Sequence, residues 1–485
     1  MTRKLGVRQR PRKWVKRLAS SLTACVAFAA LAATPALASH NQIDFFEAGQ
    51  DLLNPATRPR AFTQMQQLGV KAIRVELYWA NVAPGADDAV RPSFNAADPA
   101  SYHWGEYDAI LGEAQRLGWQ VLLTVTSPVP RWATANSQAP YLTRPDNLEF
   151  QEFMTAVARH FGSQVSLYAI WNEPNQPGWL RPQFNSNGTP ASPRIYRGLF
   201  QAGYAGLQAA GIARPKVLIG ETAPFGETTV NTRKLGVEQD VAPLAFLRGM
   251  LCLNDHYQKS ATCSELHPYG YSHHPYTLPA GPFYRPPDQD DVTIGTLPRL
   301  TDALARAARA GALPARLPVY LTEFGFNTKP SQIGVSGAQQ AQFDAISERL
   351  AWEDPDVAAF SQYQLQDDPI PASRHKGFTG FQTGLEDALG IPKPLFYSFP
   401  VPLTVTTIGR GYSLWGLVRP ADGSTELTVL VRTPGAKRYR VLRTLRTDSR
   451  GYWSIHSSTP GVDWRVRWVS PTGHVYEGPP IGAYR

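Results

Sequence analysis

The sequence is poor in cysteine, with three in 485 residues, and no two of them form a C-x-x-C pair. The spacing therefore favours neither a zinc ribbon nor a thioredoxin-like redox centre. Cys25 lies in a segment that we expect to be removed, which leaves Cys252 and Cys263. An even pair in an exported protein predicts one disulfide bond between them.

The amino-terminal apolar run, residues 21–33, is too short to span a bilayer, which takes about 20 residues. It follows a basic segment and precedes Pro35-Ala36-Leu37-Ala38, the layout of a secretory signal with a small-residue cleavage site. We predict that residues 1–38 are a signal peptide and that the mature chain has no membrane span. The expected location is extracellular, with association to the cell envelope left open.

Most of the excess positive charge belongs to this segment. The whole chain has a net charge of +9, but residues 1–39 contain eight Lys or Arg and no Asp or Glu. The mature chain is left with a net charge of +1, which is too small to indicate a nucleic-acid partner. We therefore predict no nucleic-acid partner.

Between residues 43 and 399, β-type runs alternate with amphipathic segments such as Asn147–Phe161, Thr301–Ala310 and Ala338–Trp352. The predicted strands are Ile43–Ala48, Ala72–Trp79, Gln120–Thr126, Ser166–Trp171, Lys216–Gly220, Glu265–Tyr271, Val319–Phe324 and Val357–Gln364. An open doubly wound sheet would carry G-x-G-x-x-G after its first strand, and this chain does not. The pattern predicts an α/β fold, a (β/α)₈ TIM barrel over residues 39–400.

The pattern of alternating strands and helices ends at Phe399. Residues 401–485 hold only short β-type runs, which are separated by turns rich in proline and glycine. This pattern predicts a small all-β sandwich domain. It could bind polysaccharide or cap the barrel, and we favour the cap because sandwich architecture alone carries no function.

Two glutamates stand where predicted strands end. Glu173 follows the fourth strand in W-N-E-P-N, and Glu323 follows the seventh in T-E-F-G. The carboxyl ends of barrel strands share one mouth, so both side chains are expected there. Glycoside hydrolysis with retention needs a proton-donating carboxyl and a nucleophilic carboxylate about 5 Å apart. Glu173 is the predicted acid/base and Glu323 the predicted nucleophile; the alternative is that both lie in solvated loops or structural ion pairs.

These two motifs resemble those of the retaining glycoside hydrolases of clan A, and the resemblance covers residues 43–399. It is nearest to family 39, with family 5 as the alternative. It implies a carbohydrate substrate. It also implies that Asn172 contacts the sugar, that Arg74 supports the nucleophile, and that an aromatic residue of the sixth strand donates to it. The candidates for that donor are His267, Tyr269 and Tyr271.

Further candidates are less specific. Trp79, Trp104, Trp132 and Trp179 fall near strand ends, where they could stack on a sugar or belong to the core. Glu221 could hold a sugar hydroxyl or an ion pair, and Glu47 and Glu76 have the same two interpretations. Clan A members often carry a tryptophan at the end of the eighth strand; here Gln362–Asp368 occupies that place, with Gln364 as the candidate for binding.

The histidines do not indicate a metal site. His267, His273 and His274 lack the H-E-x-x-H spacing, so we predict no metal and no cofactor. Two alternatives to a hydrolase stay open: a catalytically silent carbohydrate-binding protein and a transglycosidase on the same barrel.

Overall fold

A computed structural model describes residues 42–135, 141–234, 237–369 and 380–485. The predicted signal peptide, residues 1–38, lies outside the described residues. Within them, no helix is both long enough and apolar enough to cross a membrane.

Eight parallel strands close into a barrel in chain order, because β1 pairs with both β2 and β8. They are β1 (Ile43–Glu47), β2 (Ala72–Tyr78), β3 (Gln120–Thr126), β4 (Leu167–Ile170), β5 (Val217–Thr222), β6 (Gly270–His273), β7 (Val319–Leu321) and β8 (Val357–Tyr363). The predicted fold class is confirmed. In β3 six of the seven residues are buried, as expected of a strand covered on both faces.

Ten α-helices are found in the described part of the chain. They are α1 (Gly49–Leu53), α2 (Arg58–Gln67), α3 (Trp79–Val82), α4 (Gly105–Arg116), α5 (Asn147–Phe161), α6 (Ser192–Ala209), α7 (Pro243–Met250), α8 (Leu297–Arg309), α9 (Gly337–Glu353) and α10 (Pro394–Ser398). Helix α5 has the predicted bounds because Asp146 caps it, accepting from the backbone N–H groups of Leu148 and Glu149. Its buried phenylalanines form the face that packs on the barrel.

After α10 the chain forms two antiparallel sheets. They consist of β9 (Leu403–Ile408), β10 (Gly411–Leu417), β11 (Glu426–Arg432), β12 (Arg440–Arg446), β13 (Tyr452–Ser457), β14 (Asp463–Val469) and β15 (Val475–Glu477). The orders are β13-β10-β9 and β12-β11-β14-β15. Residues of both sheets share one apolar core, which makes this all-β domain a sandwich. The sequence did not predict β15, because three residues are too few to show an alternating pattern.

A buried ion-pair network joins the all-β domain to the barrel. The Arg419 guanidinium donates to Asp44 of β1 and, at 2.8 Å, to Glu348 of α9. Nearby, the rings of Trp352 and Trp415 lie 5.5 Å apart. Removing one partner of a buried pair leaves an uncompensated charge, at a cost of about 3–5 kcal/mol, so this network is a structural link between the two domains.

The predicted disulfide is present. Cys252 and Cys263 are bonded, with their Cα atoms 6.4 Å apart. The bond closes the loop that follows α7, away from the carboxyl ends of the strands.

Candidate active site

Polar side chains from six of the eight strands, or from the residues directly after them, gather at the carboxyl end of the barrel. They are Glu47, Arg74, Glu76, Asn172, Glu173, Glu221, His274 and Glu323. Parallel strands place their carboxyl ends at one mouth, which explains why residues up to 276 positions apart in the chain meet here.

Arg74 is the hub of this cluster. Its side chain is fully buried and donates to Asn172 Oδ1 at 2.7 Å, to Glu221 Oε2 at 2.8 Å, to Glu323 Oε2 at 3.2 Å and to Glu47. Since the Asn172 amide oxygen is held in this way, its Nδ2 is the atom left to donate to a sugar hydroxyl. Arg74 therefore orients both Asn172 and Glu323.

Glu323 receives a hydrogen bond on each oxygen. The Tyr276 hydroxyl donates to Oε1 at 2.7 Å, and Arg74 donates to Oε2. Burial raises the pKa of Glu323, while the positive charge of Arg74 acts to lower it. Donors on both oxygens favour the ionised carboxylate and fix its orientation.

Glu173 is held differently. Its backbone φ is +36°, and its N–H donates to the Glu221 carbonyl at 3.0 Å, so the end of β4 is tied to β5. Such a left-handed conformation is unfavourable for a non-glycine residue and persists only where neighbours enforce it. Burial raises the pKa of Glu173 to about 8, although Arg74 and a hydrogen bond from the Trp179 side chain oppose the shift. Glu173 therefore carries a proton at neutral pH.

His274 lies between the two glutamates. Its Nδ1 is 3.0 Å from Glu173 Oε1 and 3.6 Å from Glu323 Oε2. Burial lowers the pKa of His274 to about 4, so the ring is neutral at pH 7. One ligand atom from each of the three residues lies within 4.8 Å of the others, a set that could hold a metal ion. The absence of a metal thus stays a prediction.

The sixth-strand donor was assigned to the wrong residue. Strand β6 begins at residue 270 rather than 265, so His267 and Tyr269 precede it, at the end opposite the mouth, and are exposed. The Tyr271 hydroxyl is buried 3.2 Å from the side chain of Thr222. The residue that donates to Glu323 is Tyr276, three residues past the end of β6.

Two of the aromatic candidates have different environments. Trp79 is completely buried and stacks on Phe153, with ring centroids 5.2 Å apart, so it belongs to the core and cannot contact a sugar. Trp132 is half-buried with its ring perpendicular to that of Trp79, and its indole N–H donates to the Pro84 carbonyl at 3.3 Å. A sugar contact by Trp132 stays a prediction.

Glu221 and Gln364 are both engaged by protein groups. Both Glu221 oxygens accept from Arg74, which is the ion pair that the sequence offered as one of two interpretations. A sugar contact by Glu221 stays a prediction. Gln364 donates to Asp368 Oδ1 at 3.1 Å. The residue that ends β8 is Tyr363, whose ring meets that of Phe381 at 5.4 Å. Burial first, and then the charge of Glu323, raise the pKa of Tyr363.

Several solved structures are similar to the chain. A monomeric β-xylosidase from Caulobacter crescentus has 14% identity and a TM-score of 0.50, with 87% of this chain and 95% of that chain covered. A glucosidase from Croceicoccus marinus has 13% identity and a TM-score of 0.50, with 87% and 93% covered. A GH39 enzyme from Xanthomonas axonopodis pv. citri has 15% identity and a TM-score of 0.48, with 87% and 93% covered. At such identities the likeness shows the fold alone.

No curated protein matches the chain. A family model does: the cellulase model, described as glycosyl hydrolase family 5, matches residues 37–352. The resemblance to clan A that the two glutamate motifs indicated is thereby confirmed. The chain belongs to the cellulase family, glycosyl hydrolase family 5.

Proposed function

We propose that this glycoside hydrolase cleaves O-glycosidic bonds with retention of configuration, by double displacement through a covalent glycosyl-enzyme intermediate. Glu323 attacks the anomeric carbon while Glu173 gives its proton to the leaving oxygen. In the second step a water oxygen attacks the anomeric carbon while Glu173 takes a proton from that water, and the bond between the sugar and Glu323 breaks. No resident metal is needed for these steps.

The observation that carries the proposal is the distance between the two carboxylates. One oxygen of Glu173 and one of Glu323 lie within 4.8 Å of each other. Retaining enzymes hold their two carboxyl groups about 5–5.5 Å apart, whereas inverting enzymes need about 6.5–9.5 Å to admit a water. The spacing supports retention.

The hydrogen bonds support the division of roles. Glu173, with its pKa raised to about 8, is protonated before the first step, as a general acid must be. Glu323 accepts hydrogen bonds from Tyr276 and Arg74, which favour its ionised form although burial raises its pKa. Neutral His274 touches both groups and can hold Glu173 in place without adding a charge.

We further propose that the enzyme acts outside the cell, on an extracellular or cell-envelope polysaccharide or on oligosaccharides derived from it. The support for this location is the signal-like sequence of residues 1–38. The support for the substrate is the family membership of the barrel.

The stereochemistry of the first product tests the mechanism. Purified enzyme is screened against arabinan, galactan, xylan, bacterial envelope glycans and aryl glycosides, and the hydrolysis of a cleaved substrate is followed by proton NMR. The anomer that appears first should have the configuration of the substrate. Appearance of the opposite anomer first would show inversion and overturn the mechanism, and binding without any product would favour a silent binding protein.

The pH dependence follows from Glu173. Its protonated form is the active one and is lost as the pH rises through about 8, so kcat/KM should fall about tenfold per pH unit above that value. Trp179→Phe removes a hydrogen bond that lowers this pKa; the alkaline limb should therefore move to higher pH. A pH-rate profile of both proteins checks this, and an alkaline limb below pH 6 would contradict the raised pKa of Glu173.

A further inference from the structure

The two domains of the mature chain have opposite net charges. Residues 401–485 contain twelve Lys and Arg against five Asp and Glu, a net charge of +7. Residues 40–400 contain 28 Lys and Arg against 34 Asp and Glu, a net charge of −6. The near-neutral charge of the mature chain hides this difference between the barrel and the all-β domain.

Half of the positive residues of the all-β domain lie in one short segment. They are Lys437, Arg438, Arg440, Arg443, Arg446 and Arg450, and all six are exposed. We call this set the basic strand surface. The segment between residues 437 and 447 contains no acidic residue.

These cations are not neutralised by neighbouring acids. The guanidinium groups of Arg432 and Arg465, on the adjoining strands, pair with Asp463 and Glu477. Across the described residues, none of the six members of the basic strand surface forms such an ion pair. Arg446 donates to the Ser424 carbonyl at 3.0 Å, and its cross-strand neighbour is Glu426. The positive charge is therefore available to an external anion.

The strand arrangement places the cations in a row. Strand β12 is the first in the order β12-β11-β14-β15, so one of its edges faces no other strand of the described chain. Arg440, Arg443 and Arg446 recur at every third residue of β12, and all three are exposed. Arg443 and Arg446, in the regular part of the strand, are about 10 Å apart along it.

We propose that the basic strand surface binds an anionic polysaccharide. A row of guanidinium groups matches charges repeated along a linear polymer, and each guanidinium fits a carboxylate or sulfate with two parallel hydrogen bonds. The same chain carries a glycoside hydrolase barrel, so a polysaccharide is the polyanion that this surface can usefully hold. The negative net charge of the barrel directs such a polymer to the all-β domain. This proposal does not depend on the roles given to Glu173 and Glu323.

A simpler explanation is that charges on an edge strand prevent association between sheets. That role requires charge but no ligand. It therefore predicts that removing three arginines changes the solubility of the protein and leaves its polysaccharide binding unaffected. The binding experiment separates the two explanations.

The test compares two triple variants of the mature full-length protein. Arg440→Gln/Arg443→Gln/Arg446→Gln changes the surface, and Arg194→Gln/Arg214→Gln/Arg309→Gln removes the same charge from exposed positions on the barrel. Affinity for polygalacturonate, dextran sulfate and uncharged dextran is measured in 50 mM NaCl. Thermal melting of each variant confirms that it is folded; Arg443→Gln alone serves if the triple change is not.

Wild type should bind polygalacturonate, dextran sulfate or both, and the two probes show whether carboxylate or sulfate is preferred. Binding should weaken as salt rises, the β12 variant should lose at least tenfold in affinity, and the barrel variant less than twofold. The proposal would be overturned if wild type bound neither polyanion, or if both variants lost affinity equally. Tighter binding of duplex DNA or of phosphatidylglycerol vesicles through the same arginines would also overturn it.

Discussion

Glu323→Gln should lower kcat by about 10⁴-fold, because the amide cannot attack the anomeric carbon and no intermediate forms. The substitution keeps the size of the side chain, so Tyr276 and Arg74 retain a partner. Steady-state kinetics on the best substrate of the screen measures the loss. Retention of more than a tenth of wild-type activity would exclude Glu323 as the nucleophile.

Asp344→Asn is the matched control for this change. Asp344 is also a buried carboxylate, and burial raises its pKa to about 7, but it lies on α9 away from the strand ends. The same acid-to-amide replacement there should leave kcat within twofold of wild type. A 2-deoxy-2-fluoro glycoside adds a direct readout: mass spectrometry should find the sugar on Glu323 in wild type and no adduct in Glu323→Gln.

Glu173→Ala should lower kcat/KM by about 10³-fold for substrates whose leaving group needs a proton. A dinitrophenyl glycoside leaves without protonation, so its kcat/KM should change by less than tenfold while kcat falls, because the second step lacks its base. Comparing substrates of different leaving-group pKa measures this effect. Azide should then restore kcat, since it attacks the glycosyl-enzyme without base assistance, and should yield a glycosyl azide of retained configuration.

The stereochemistry of the azide product distinguishes the two glutamates. In a nucleophile variant, azide would attack the substrate directly and give the inverted glycosyl azide. An inverted product from Glu173→Ala, or a uniform loss across all leaving groups, would show that the acid/base has been assigned to the wrong residue.

The sequence predicted the barrel and the glutamate pair because both depend on local patterns. Strand β3 and helix α5 have the predicted bounds, since their apolar residues follow the strand and helix periods. Arg74 and Asn172 were found because their positions relative to strand ends are typical of the clan. Predicting these two residues required only the correct strand, and the exact residue at which that strand ends did not matter.

The other partners of the two glutamates could not be predicted, because their positions depend on where strands end and on contacts between residues far apart in the chain. Tyr276 and His274 were missed as partners of the glutamates because β6 begins five residues later than predicted. The pattern H-P-Y at residues 274–276 was present but was placed beyond the predicted end of the strand. Tyr363 ends β8, one residue before the predicted contact Gln364.

Burial was the other quantity that the sequence could not supply. Trp79 follows a strand, as a sugar-binding ring would, yet its ring is enclosed by Phe150 and Phe153 of α5. The raised pKa of Glu173 results first from burial of its side chain. Neither follows from spacing along the chain, since each depends on how helices and loops close over the barrel.

The Arg419–Asp44 pair has a consequence for synthesis of the chain. Asp44 belongs to β1, the first strand of the described residues, and its cationic partner is made 375 residues later. Until then the amino-terminal rim of the barrel contains two acids, Asp44 and Glu348, without their counter-charge. A nascent chain that stops before Arg419 therefore leaves Asp44 and Glu348 without the cation that pairs with both of them.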